Sequence, residues 1–433
     1  MKRMRVFAFT VVLGTLFFFP RAAQAQFLTL DCSGTNPFAY PTINSALPSA
    51  GPGAFIAVTG TCNENVTLYD INNLRLGAFF GQTANLIGQL TILNSHLVYV
   101  YGLNVTNPFG EGVYVQTSNV IFDTFSSSGN AGNGMQVTQS SDVTINALGT
   151  FNNNAGYGIV SDANSFVYIV SWAGTTDISN NQRALRNIQA NFVTFGNTHM
   201  ANNSQLAIDM AGGGKAQIGA IFGPNVIENN PNGGVSLQEN AEISFFSLST
   251  SSGPDIIRNN GPFGIEAGFG SQVTLAGAQI TGHTGPAVDV YAHSQLYGTS
   301  QLSGLSATEI LSNETAGDPL GAAVRVDGNS EALLRGVTIS QNSGPAILAL
   351  VNSSVDFAGA TLSGNAGVIT CDSTSTMVSD LAVAARTPAA GVSCTTAHSL
   401  GNRVVSAPAP AVPDISSWKK MHSDYQQRSI AQK

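Results

Sequence analysis

One short phrase recurs along this chain: an Asn-rich turn, a Gly-containing corner, and a strand in which apolar and polar residues alternate. It is clearest at residues 229–237 (NNPNGGVSL), and close copies stand at residues 260–267 and 342–347. Gly and Asn return in every copy and would break a helix each time, whereas alternation with a period of two is typical of strands. The sequence therefore predicts one strand-and-corner unit repeated many times.

The first inward residue of each predicted strand gives the period of this repeat. Successive positions are separated by intervals that run from 22 residues, between Val113 and Met135, to 36 residues, between Val288 and Val324. A period in the low twenties with occasional excess is typical of solenoid coils that carry insertions in selected turns. The ten positions are Val113, Met135, Ile159, Leu185, Ile208, Val235, Ile265, Val288, Val324 and Ile347.

A column of asparagines lies five residues before these positions. Coils stacked about 4.8 Å apart would superimpose the asparagine side chains, whose amides could then hydrogen-bond along the column. Asn also tolerates the left-handed backbone of a tight corner, so we interpret the column as a structural ladder and not as a ligand site. His283 takes the same position in the coil of Val288, and the asparagines are Asn130, Asn154, Asn180, Asn203, Asn230, Asn260 and Asn342.

The start of the chain carries a resemblance to a known family. Residues 41–47 form a short amphipathic pattern, residues 54–58 (AFIAV) a buried strand, and residues 60–68 read GTCNENVTL. This succession resembles the opening of the pectin-lyase-like proteins, the right-handed parallel β-helix family. The resemblance implies an all-β fold, a right-handed parallel β-helix (solenoid) with a short N-terminal capping helix. Such a cap would cover the exposed strand edges of the first coil.

The catalytic motifs of that family do not match. The chain has no Asp-Asp pair and no Arg-x-Lys of the polygalacturonase-like members, and it has only residues 282–284 (GHT) near their Gly-His-Gly. It also lacks the Arg-x-Pro-x-x-Arg of pectate-lyase-like members and the Gln-Asp-Thr of pectinesterase-like members. The resemblance therefore implies a fold and no named activity.

The ends of the chain predict export. Residues 1–25 read as a signal peptide, with Lys2, Arg3 and Arg5 before an apolar run and Ala23-Gln24-Ala25 as the cleavage site. Residues 26–400 are predicted to form the β-helix domain with its N-terminal cap, and residues 401–433 a Pro/Ala linker and a tail that could form a short helix. No later apolar run is long enough to span a bilayer. We expect a secreted protein, in the extracellular space, on the cell surface or in the periplasm, without a transmembrane segment.

The net charge of the chain limits the classes of partner that it is expected to bind. The 17 basic and 25 acidic residues give a net charge of −8, and loss of residues 1–25 would remove four basic residues and no acidic one, leaving −12. An acidic, Lys-poor body has no basic footprint for a phosphate backbone, so nucleic acid is excluded as a partner. The same charge disfavours strongly anionic polymers unless a cation intervenes.

Four cysteines lie in two pairs near the ends of the domain. In an oxidising compartment Cys32 is expected to bond Cys62, and Cys371 to bond Cys394. Each bridge would staple one end of the coil stack, and a disulfide is typically worth about 2–4 kcal/mol.

Chemistry is expected on the outward positions of one sheet, because inward side chains form the core. The residue after each inward position gives a column whose middle gathers three acids between two arginines. Functional residues on rigid scaffolds often lie beside long loops. The two longest intervals between inward positions flank the coils of Glu266 and Asp289. The column is Tyr114, Gln136, Val160, Arg186, Asp209, Ser236, Glu266, Asp289, Arg325 and Leu348.

The acids of this column have three interpretations. Asp209, Glu266 and Asp289 could be catalytic, because carboxyl pairs about 5–5.5 Å or about 6.5–9.5 Å apart serve retaining and inverting glycoside hydrolysis. The same three carboxylates could hold Ca²⁺, a hard cation, and no other cofactor is expected. Alternatively, outward polar residues and cross-strand ion pairs simply stabilise the face. The substrate-binding candidates beside them are Arg186, Tyr291, His293 and Arg325.

Three functions therefore stay open. The leading prediction is a module that binds a polysaccharide or another cell-surface glycan along an exposed sheet. The first alternative is a carbohydrate-active enzyme, a glycoside hydrolase or polysaccharide lyase that uses the outward carboxylates. The second is a structural or adhesive surface protein whose rigid rod is itself the function.

Overall fold

The structure is a computed structural model that describes residues 26–79, 82, 84–247, 252–299, 307–313, 321–378 and 395–396. These residues belong to one compact unit, which reaches Thr396. The predicted signal peptide (residues 1–25) and the predicted linker and tail (residues 401–433) lie outside the described residues, so the predicted domain boundaries stay predictions.

The described chain folds almost entirely into short strands. A single turn of α-helix, α1, spans Ile43–Ala46 and continues into a 3-10 turn over Leu47–Ser49. Numbered in chain order, the first strands are β1 Phe27–Asp31, β2 Phe55–Asn63, β3 Val66–Tyr69, β4 Asn72–Ala78, β5 Ala84–Ile87, β6 Leu90–Leu93, β7 His96–Tyr101, β8 Leu103–Thr106, β9 Val113–Gln116, β10 Asn119–Ser127, β11 Met135–Thr138, β12 Asp142–Thr150, β13 Tyr157–Asp162, β14 Phe166–Val170, β15 Thr176–Asp177, β16 Arg183–Ile188, β17 Asn191–Thr194, β18 Thr198–Ala201 and β19 Ile208–Ala211. They are followed by β20 Lys215–Ala220, β21 Val226–Glu228, β22 Val235–Leu237, β23 Glu242–Ser247, β24 Asp255–Arg258, β25 Ile265–Ala267, β26 Gln272–Ala276, β27 Ala278–Thr281, β28 Val288–Val290, β29 Gln295–Thr299, β30 Glu309–Leu311, β31 Val324–Val326, β32 Glu331–Arg335, β33 Thr338–Ser340, β34 Pro345–Ala349, β35 Ser354–Asp356, β36 Thr361–Ser363, β37 Gly367–Cys371, β38 Thr376–Val378 and β39 Thr395–Thr396.

The strands pair in parallel and wind into a solenoid. One 13-stranded sheet, the front sheet, consists of β3, β6, β9, β11, β13, β16, β19, β22, β25, β28, β31, β34 and β37. The remaining strands form a 26-stranded sheet with two runs of pairings. The first run, the second wall, is β1, β2, β4, β7, β10, β12, β14, β17, β20, β23, β26, β29, β32, β35, β38 and β39. The other run, the third wall, is β5, β8, β15, β18, β21, β24, β27, β30, β33 and β36, which joins the second wall through the long strands β2, β10 and β12.

Alternation within each strand separates the core from the surface, as the sequence predicted. In β22, Val235 and Leu237 are fully buried in one continuous apolar core, and Ser236 between them faces outward. Each predicted inward position lies opposite the next along the front sheet, from Val113 through Val235 to Ile347. The all-β parallel solenoid and its register are therefore confirmed.

The predicted N-terminal cap is also confirmed. Thr42 caps α1 by accepting a hydrogen bond from the backbone N–H of Ser45, and the carboxylate of Glu64 accepts from the N–H groups of Ile43 (2.6 Å) and Asn44 (3.1 Å). Negative charge at a helix N-terminus stabilises the helix, so Glu64 of the GTCNENVTL segment fixes the cap to the first coil. The Cys32–Cys62 disulfide, with Cα atoms 5.1 Å apart, joins the same end.

The second predicted disulfide is tested at one end only. Cys371 is buried at the end of β37 and is disulfide-bonded. Its predicted partner, Cys394, lies outside the described residues.

The asparagine ladder exists, with one correction to its composition. From Asn130 to Asn154 the side-chain amide donates to the carbonyl oxygen of the next rung at 2.7 Å, and the same contact links Asn203 to Asn230 at 2.9 Å. The prediction of Asn180 is wrong: Asn180 is exposed, and Asn181 is the buried rung. The full column is Asn107, Asn130, Asn154, Asn181, Asn203, Asn230, Asn260, His283, Asn313, Asn342 and Asn365.

His283 is a substituted rung, as predicted. It is fully buried, its backbone N–H donates to the side chain of Asn313, and its ring nitrogens face the carbonyl oxygens of Asn260 and Ile257. Burial lowers the pKa of His283, and the hydrogen bonds to the two carbonyl groups oppose that shift.

The ladder explains why a small residue precedes each inward position of the repeat. A Cβ added at Gly264 would lie 2.5 Å from the carbonyl oxygen of Ala287 and 2.8 Å from Nε2 of His283. Gly134 is equally confined, by the carbonyl oxygen of Gly158 and the amide of Asn154. The Gly corner thus leaves room for the rung stacked against it.

A serine ladder at the corner between the front sheet and the second wall was not predicted. The backbone N–H of each serine donates to the hydroxyl of the serine one coil further on, at 2.9 to 3.3 Å. Two corners of the coil are therefore fixed by side-chain columns. The serines are Ser95, Ser118, Ser141 and Ser165, and then Ser271, Ser294, Ser330 and Ser353.

Candidate functional site

The outward column of the front sheet has the membership that the sequence predicted. Every neighbouring pair lies opposite in parallel register, so Asp209, Ser236, Glu266 and Asp289 follow one another on consecutive coils. Parallel strands are about 4.8 Å apart, which places the side chains of adjacent rungs within reach of one another. The complete run is Tyr114, Gln136, Val160, Arg186, Asp209, Ser236, Glu266, Asp289, Arg325 and Leu348.

Asp209 forms the centre of a basic cluster. The guanidinium of Arg183 donates to its carboxylate, and Nε of Arg186 lies 3.9 Å from the same oxygen. Both guanidinium groups also lie over the ring of Tyr157, 5.8 and 5.5 Å from its centroid, where cation–π attraction holds them. Two arginines therefore share one carboxylate on this half of the column.

Asp289 is held by the next coil. Nε of Arg325 donates to Oδ1 at 2.9 Å and a terminal nitrogen lies 2.8 Å from Oδ2, which is a bidentate ion pair. Burial raises the pKa of Asp289 to about 6; the charge of Arg325 opposes this rise, and the charges of Glu266 and Asp327 add to it. Asp289 is therefore an outward acid that is nearly covered. It is paired with Arg325 and lies near two further acids, Glu266 and Asp327.

Glu266 differs from the other two acids. Within the described residues it forms no ion pair, and its carboxylate accepts a hydrogen bond of 3.4 Å from the hydroxyl of Ser236. Tyr291 lies beside it, with its hydroxyl 3.0 Å from Nε2 of Gln238. Burial raises the pKa of Tyr291, the hydrogen bond from Gln238 opposes the shift, and the charge of Glu266 adds to it. Glu266 thus brings an unneutralised carboxylate to the middle of the face.

The predicted residues fall into two groups and one outlier. Arg186 belongs with Asp209, and Tyr291 and Arg325 belong with Glu266 and Asp289. His293 is the outlier, because β28 ends at Val290 and His293 lies in a left-handed turn (φ 66°), exposed to solvent. Strand alternation does not extend to it, so the inference that His293 points with Asp289 does not hold.

The three acids do not form a compact ligand set. In the described part of the chain, the only three Asp, Glu, His or Cys side chains with ligand atoms all within 4.8 Å are Cys32, Cys62 and Glu64, and these two cysteines are bonded to each other. Ser236 separates Asp209 from Glu266, and arginines already bind Asp209 and Asp289. Calcium at these acids stays a prediction, and it would have to displace both sets of arginine contacts.

The two longest intervals of the repeat contain three segments outside the described residues. In the chain, residues 314–320 lie between β30 and β31, whereas residues 248–251 lie between β23 and β24 and residues 300–306 between β29 and β30. All three segments lie outside the described residues, and only the first adjoins the column in the chain.

Several residues of the face were missed from the sequence. Arg183 and Tyr157 pair with each other in register on the strands before Asp209, outside the single column that was read. Glu111 lies further along, where burial raises its pKa, a hydrogen bond from Asn133 opposes the shift and the charge of Asp162 adds to it. Glu111, Tyr157 and Arg183 each stand two residues before an inward position, so a second column taken at that offset would have found them.

A separate charged chain crosses the third wall. His199 has Nε2 2.9 Å from Glu228 and Nδ1 3.6 Å from Asp177, and Nε of Arg258 donates to Glu228 at 2.5 Å. Acidic residues alternate with His199 and Arg258 from coil to coil here, which is the arrangement of cross-strand stabilisation. These residues lie on a different wall from the acidic column.

Comparison with known proteins finds similar folds among solved structures. No protein-family model and no curated protein sequence matches the chain. The A-module of mannuronan C-5 epimerase AlgE4 from Azotobacter vinelandii is 14% identical, over 76% of this chain and 91% of that one, with a TM-score of 0.42. Pectate lyase Pel9A is 14% identical, over 77% of this chain and 78% of that one, with a TM-score of 0.37. No residue role is carried over from either protein.

Proposed function

We propose that this protein binds a polysaccharide or another hydroxyl-rich cell-surface polymer along the front sheet. The observation that carries the proposal is the outward column itself, which runs without a break in register from Tyr114 to Leu348. A polymer laid along the stack would meet one rung after another at a constant spacing of about 4.8 Å. The regular spacing of the rungs would therefore let successive units of a polymer make similar contacts.

The chemistry of the rungs supports the same partner. Gln136, Ser236, Gln238, Glu266 and Tyr291 offer amide, hydroxyl and carboxylate groups, which exchange hydrogen bonds with sugar hydroxyls. The hydrogen bonds between Gln238 and Tyr291 and between Ser236 and Glu266 hold these groups before any ligand arrives. Such preorganisation lowers the entropic cost of binding.

A blocking substitution tests the proposal. Ser236→Tyr would place a ring across the middle of the column, and we expect binding to weaken about tenfold or more, because a central contact dominates an interface. The measurement is affinity electrophoresis and calorimetry with soluble glucan, mannan and xylan.

Ser244→Tyr is the matched control, because Ser244 is the outward serine of β23 on the second wall. Equal weakening by the two variants would show that the front sheet is not the binding face. The absence of binding to every glycan, with the protein retained on the cell envelope, would favour the structural role instead.

Export belongs to the same proposal. The Cys32–Cys62 disulfide supports an oxidising compartment, where such bonds form and persist. Across the part of the chain that the structure describes, no helix is long and apolar enough to cross a membrane. Cell fractionation with mass spectrometry of the mature N-terminus tests the proposed cleavage after Ala25.

A glycan-cleaving enzyme is the second candidate, favoured by one observation. Asp289 has a pKa raised to about 6 by burial, so it can hold a proton closer to neutral pH than an ordinary aspartate, and it lies on the coil next to the second carboxylate, Glu266. Carboxyl groups about 5–5.5 Å apart serve retaining hydrolysis. The bidentate hold of Arg325 on Asp289 opposes this role, because the acid would have to leave its partner to reach a substrate.

Turnover assays separate the two candidates. Release of reducing ends or unsaturated products from any glycan of the panel, lost in Glu266→Gln and in Asp289→Asn, would establish the enzyme. Binding without turnover in the same assays favours the module.

A further inference from the structure

We infer that the polymer bound along the front sheet carries no anionic group where it crosses Glu266, and that the Glu266 carboxylate enforces this selection. The inference rests on the proposed function and adds the chemical class of the ligand.

The first step is that the arginines of the face are already engaged. Arg325 is bound through two nitrogens to Asp289, whose side chain is only 10% exposed. Arg183 contacts Asp209. Arg186 donates to the hydroxyl of Tyr157 at 3.2 Å, and its Nε lies 3.9 Å from the carboxylate of Asp209 without a hydrogen-bond partner among the described residues. An anionic ligand could recruit Arg325 only by leaving Asp289 covered and unpaired, a loss that typically exceeds the gain from the new contact.

The second step is that charge is distributed unevenly along the column. Arg183 and Arg186 share the carboxylate of Asp209, whereas Arg325 is paired with Asp289 alone, and the carboxylates of Glu266 and Asp327 lie near that pair. Glu266 and Asp289 lie on neighbouring coils, so the surplus negative charge falls on adjacent rungs.

The third step concerns the ligand. A polymer with an anionic group on every unit cannot cross consecutive rungs without placing a charge beside Glu266. Like charges at such close range are repelled, and partial burial screens them less than bulk water would. A neutral polymer meets the same carboxylate as a hydrogen-bond acceptor for its hydroxyl groups.

The test uses matched polymers that differ only in charge. Glucan, mannan and xylan are each prepared in hydroxyethylated and carboxymethylated form, so that the substituents are of similar size and only one carries a charge. The readout is the ratio of the two dissociation constants at pH 7.5, at low and at high salt. For the native protein we expect the carboxymethylated form to bind about tenfold more weakly at low salt, and the difference to shrink as salt screens the repulsion.

Glu266→Gln is the decisive variant, because it keeps the shape of the side chain and removes its charge. We expect it to reduce the discrimination about threefold or more, by strengthening the binding of the carboxymethylated polymer. Glu331→Gln, an exposed acid of β32 on the second wall, makes the same change in net charge and should leave the ratio unaltered. Thermal unfolding of both variants checks that they fold.

The outcomes separate this inference from the function on which it rests. If carboxymethylated and hydroxyethylated forms bind equally to the native protein, the inference is wrong and the glycan-binding function stands. If Glu266→Gln and Glu331→Gln change the ratio equally, the selection comes from overall charge and Glu266 has no special role. If none of the polymers binds, the proposed function fails and the inference falls with it.

Discussion

On the front sheet the outward column carries Asp209, Glu266 and Asp289, whereas the matching column of the second wall is mainly aromatic, aliphatic and hydroxyl-bearing. Both columns run along parallel strands of the same coils with the same spacing, so backbone geometry does not distinguish them. The second-wall column is Tyr99, Ile121, Thr144, Tyr168, Val193, Gln217, Ser244, Thr274, Tyr297 and Leu333.

The two faces also stabilise themselves differently. On the second wall the rings of Phe166 and Tyr168 stack with centroids 5.4 Å apart, and Asp123 accepts hydrogen bonds from Tyr99 and Asn146. On the front sheet the contacts across coils include the covered, bidentate ion pair between Arg325 and Asp289, whereas the Lys215–Glu242 pair of the second wall is exposed. The fold supplies equal platforms, and the side chains alone decide which face can discriminate between ligands by charge.

The largest expected effect concerns the ladder on which both faces depend. Asn181→Ala removes the oxygen that accepts from the backbone N–H and the side-chain amide of Asn154. Two buried donors would lose their partner, and we expect a loss of about 5 kcal/mol in the free energy of unfolding, measured by chemical denaturation.

Asn180→Gly is the control, because Asn180 is exposed with a left-handed backbone (φ 59°) that glycine adopts freely. It should change the free energy of unfolding by a few tenths of a kcal/mol, as surface substitutions usually do. A larger loss in Asn180→Gly than in Asn181→Ala would contradict the corrected ladder.

The second prediction sets a covered ion pair of the front sheet against an exposed one of the second wall. Arg325→Ala leaves Asp289 covered without its partner, and we expect a loss of about 3–4 kcal/mol at pH 7.5. Lys215→Ala breaks the pair with Glu242, whose two side chains are 57% and 47% exposed, and should cost less than about 0.5 kcal/mol. Comparable losses in the two variants would remove the proposed difference between the faces.

The register of the front sheet could be predicted because each coil repeats the same corner before its strand. The rung at Asn181 was missed because the prediction counted backwards from the inward residue, across a turn of variable length. Asn181 lies four residues before Leu185, and Asn313 lies eleven residues before Val324. The distance from the other side is regular only from Asn203 onward: Asn203, Asn230 and Asn260 each stand two residues after the end of a third-wall strand, whereas Asn181 stands four residues after the end of β15.

Contacts within the site were harder to predict than membership of the column. The sequence placed Asp289 opposite Arg325, but it could not show that Asp289 is covered or that Glu266 has no ion pair among the described residues. Both features depend on the conformations of long side chains. His293 was misplaced because β28 ends at Val290, where the backbone begins a left-handed turn that hydrophobic alternation does not reveal.

The third prediction uses pH to change one face and not the other. The pKa of Asp289 is raised to about 6, above the value of about 4 that an aspartate has in an unfolded chain. Between pH 4 and 6 the folded protein keeps a proton that the unfolded chain has released, so this group's contribution to stability is complete at low pH and is lost as pH rises through that window. Asp289→Asn should flatten a decline of about 2–3 kcal/mol across this range.

Titration of Asp289 should also alter the selectivity of the front sheet. Below pH 6 the neutral acid releases its hold on Arg325, so discrimination against carboxymethylated glycans should weaken between pH 7.5 and pH 5. Ser244→Tyr, on the second wall, should follow the native profile. A pH-independent ratio in the native protein would show that Arg325 does not become available.

The smallest expected effect is that of calcium, and it bears on the same arrangement of charges. Asp209 and Asp289 are bound by arginines, and Ser236 lies between Asp209 and Glu266. Among these three acids, only Glu266 has no ion pair within the described residues, whereas Ca²⁺ requires six to eight oxygen ligands. We expect millimolar Ca²⁺ or its removal by a chelator to change the melting temperature by less than about 1 °C, because only a ligand that binds the folded state stabilises it. A rise in melting temperature that disappears in Glu266→Gln and persists in Glu331→Gln would show instead that the acids of the front sheet gather around a cation. In that case the arginines would be displaceable. The difference in charge selectivity between the front sheet and the second wall would then hold only in the absence of calcium.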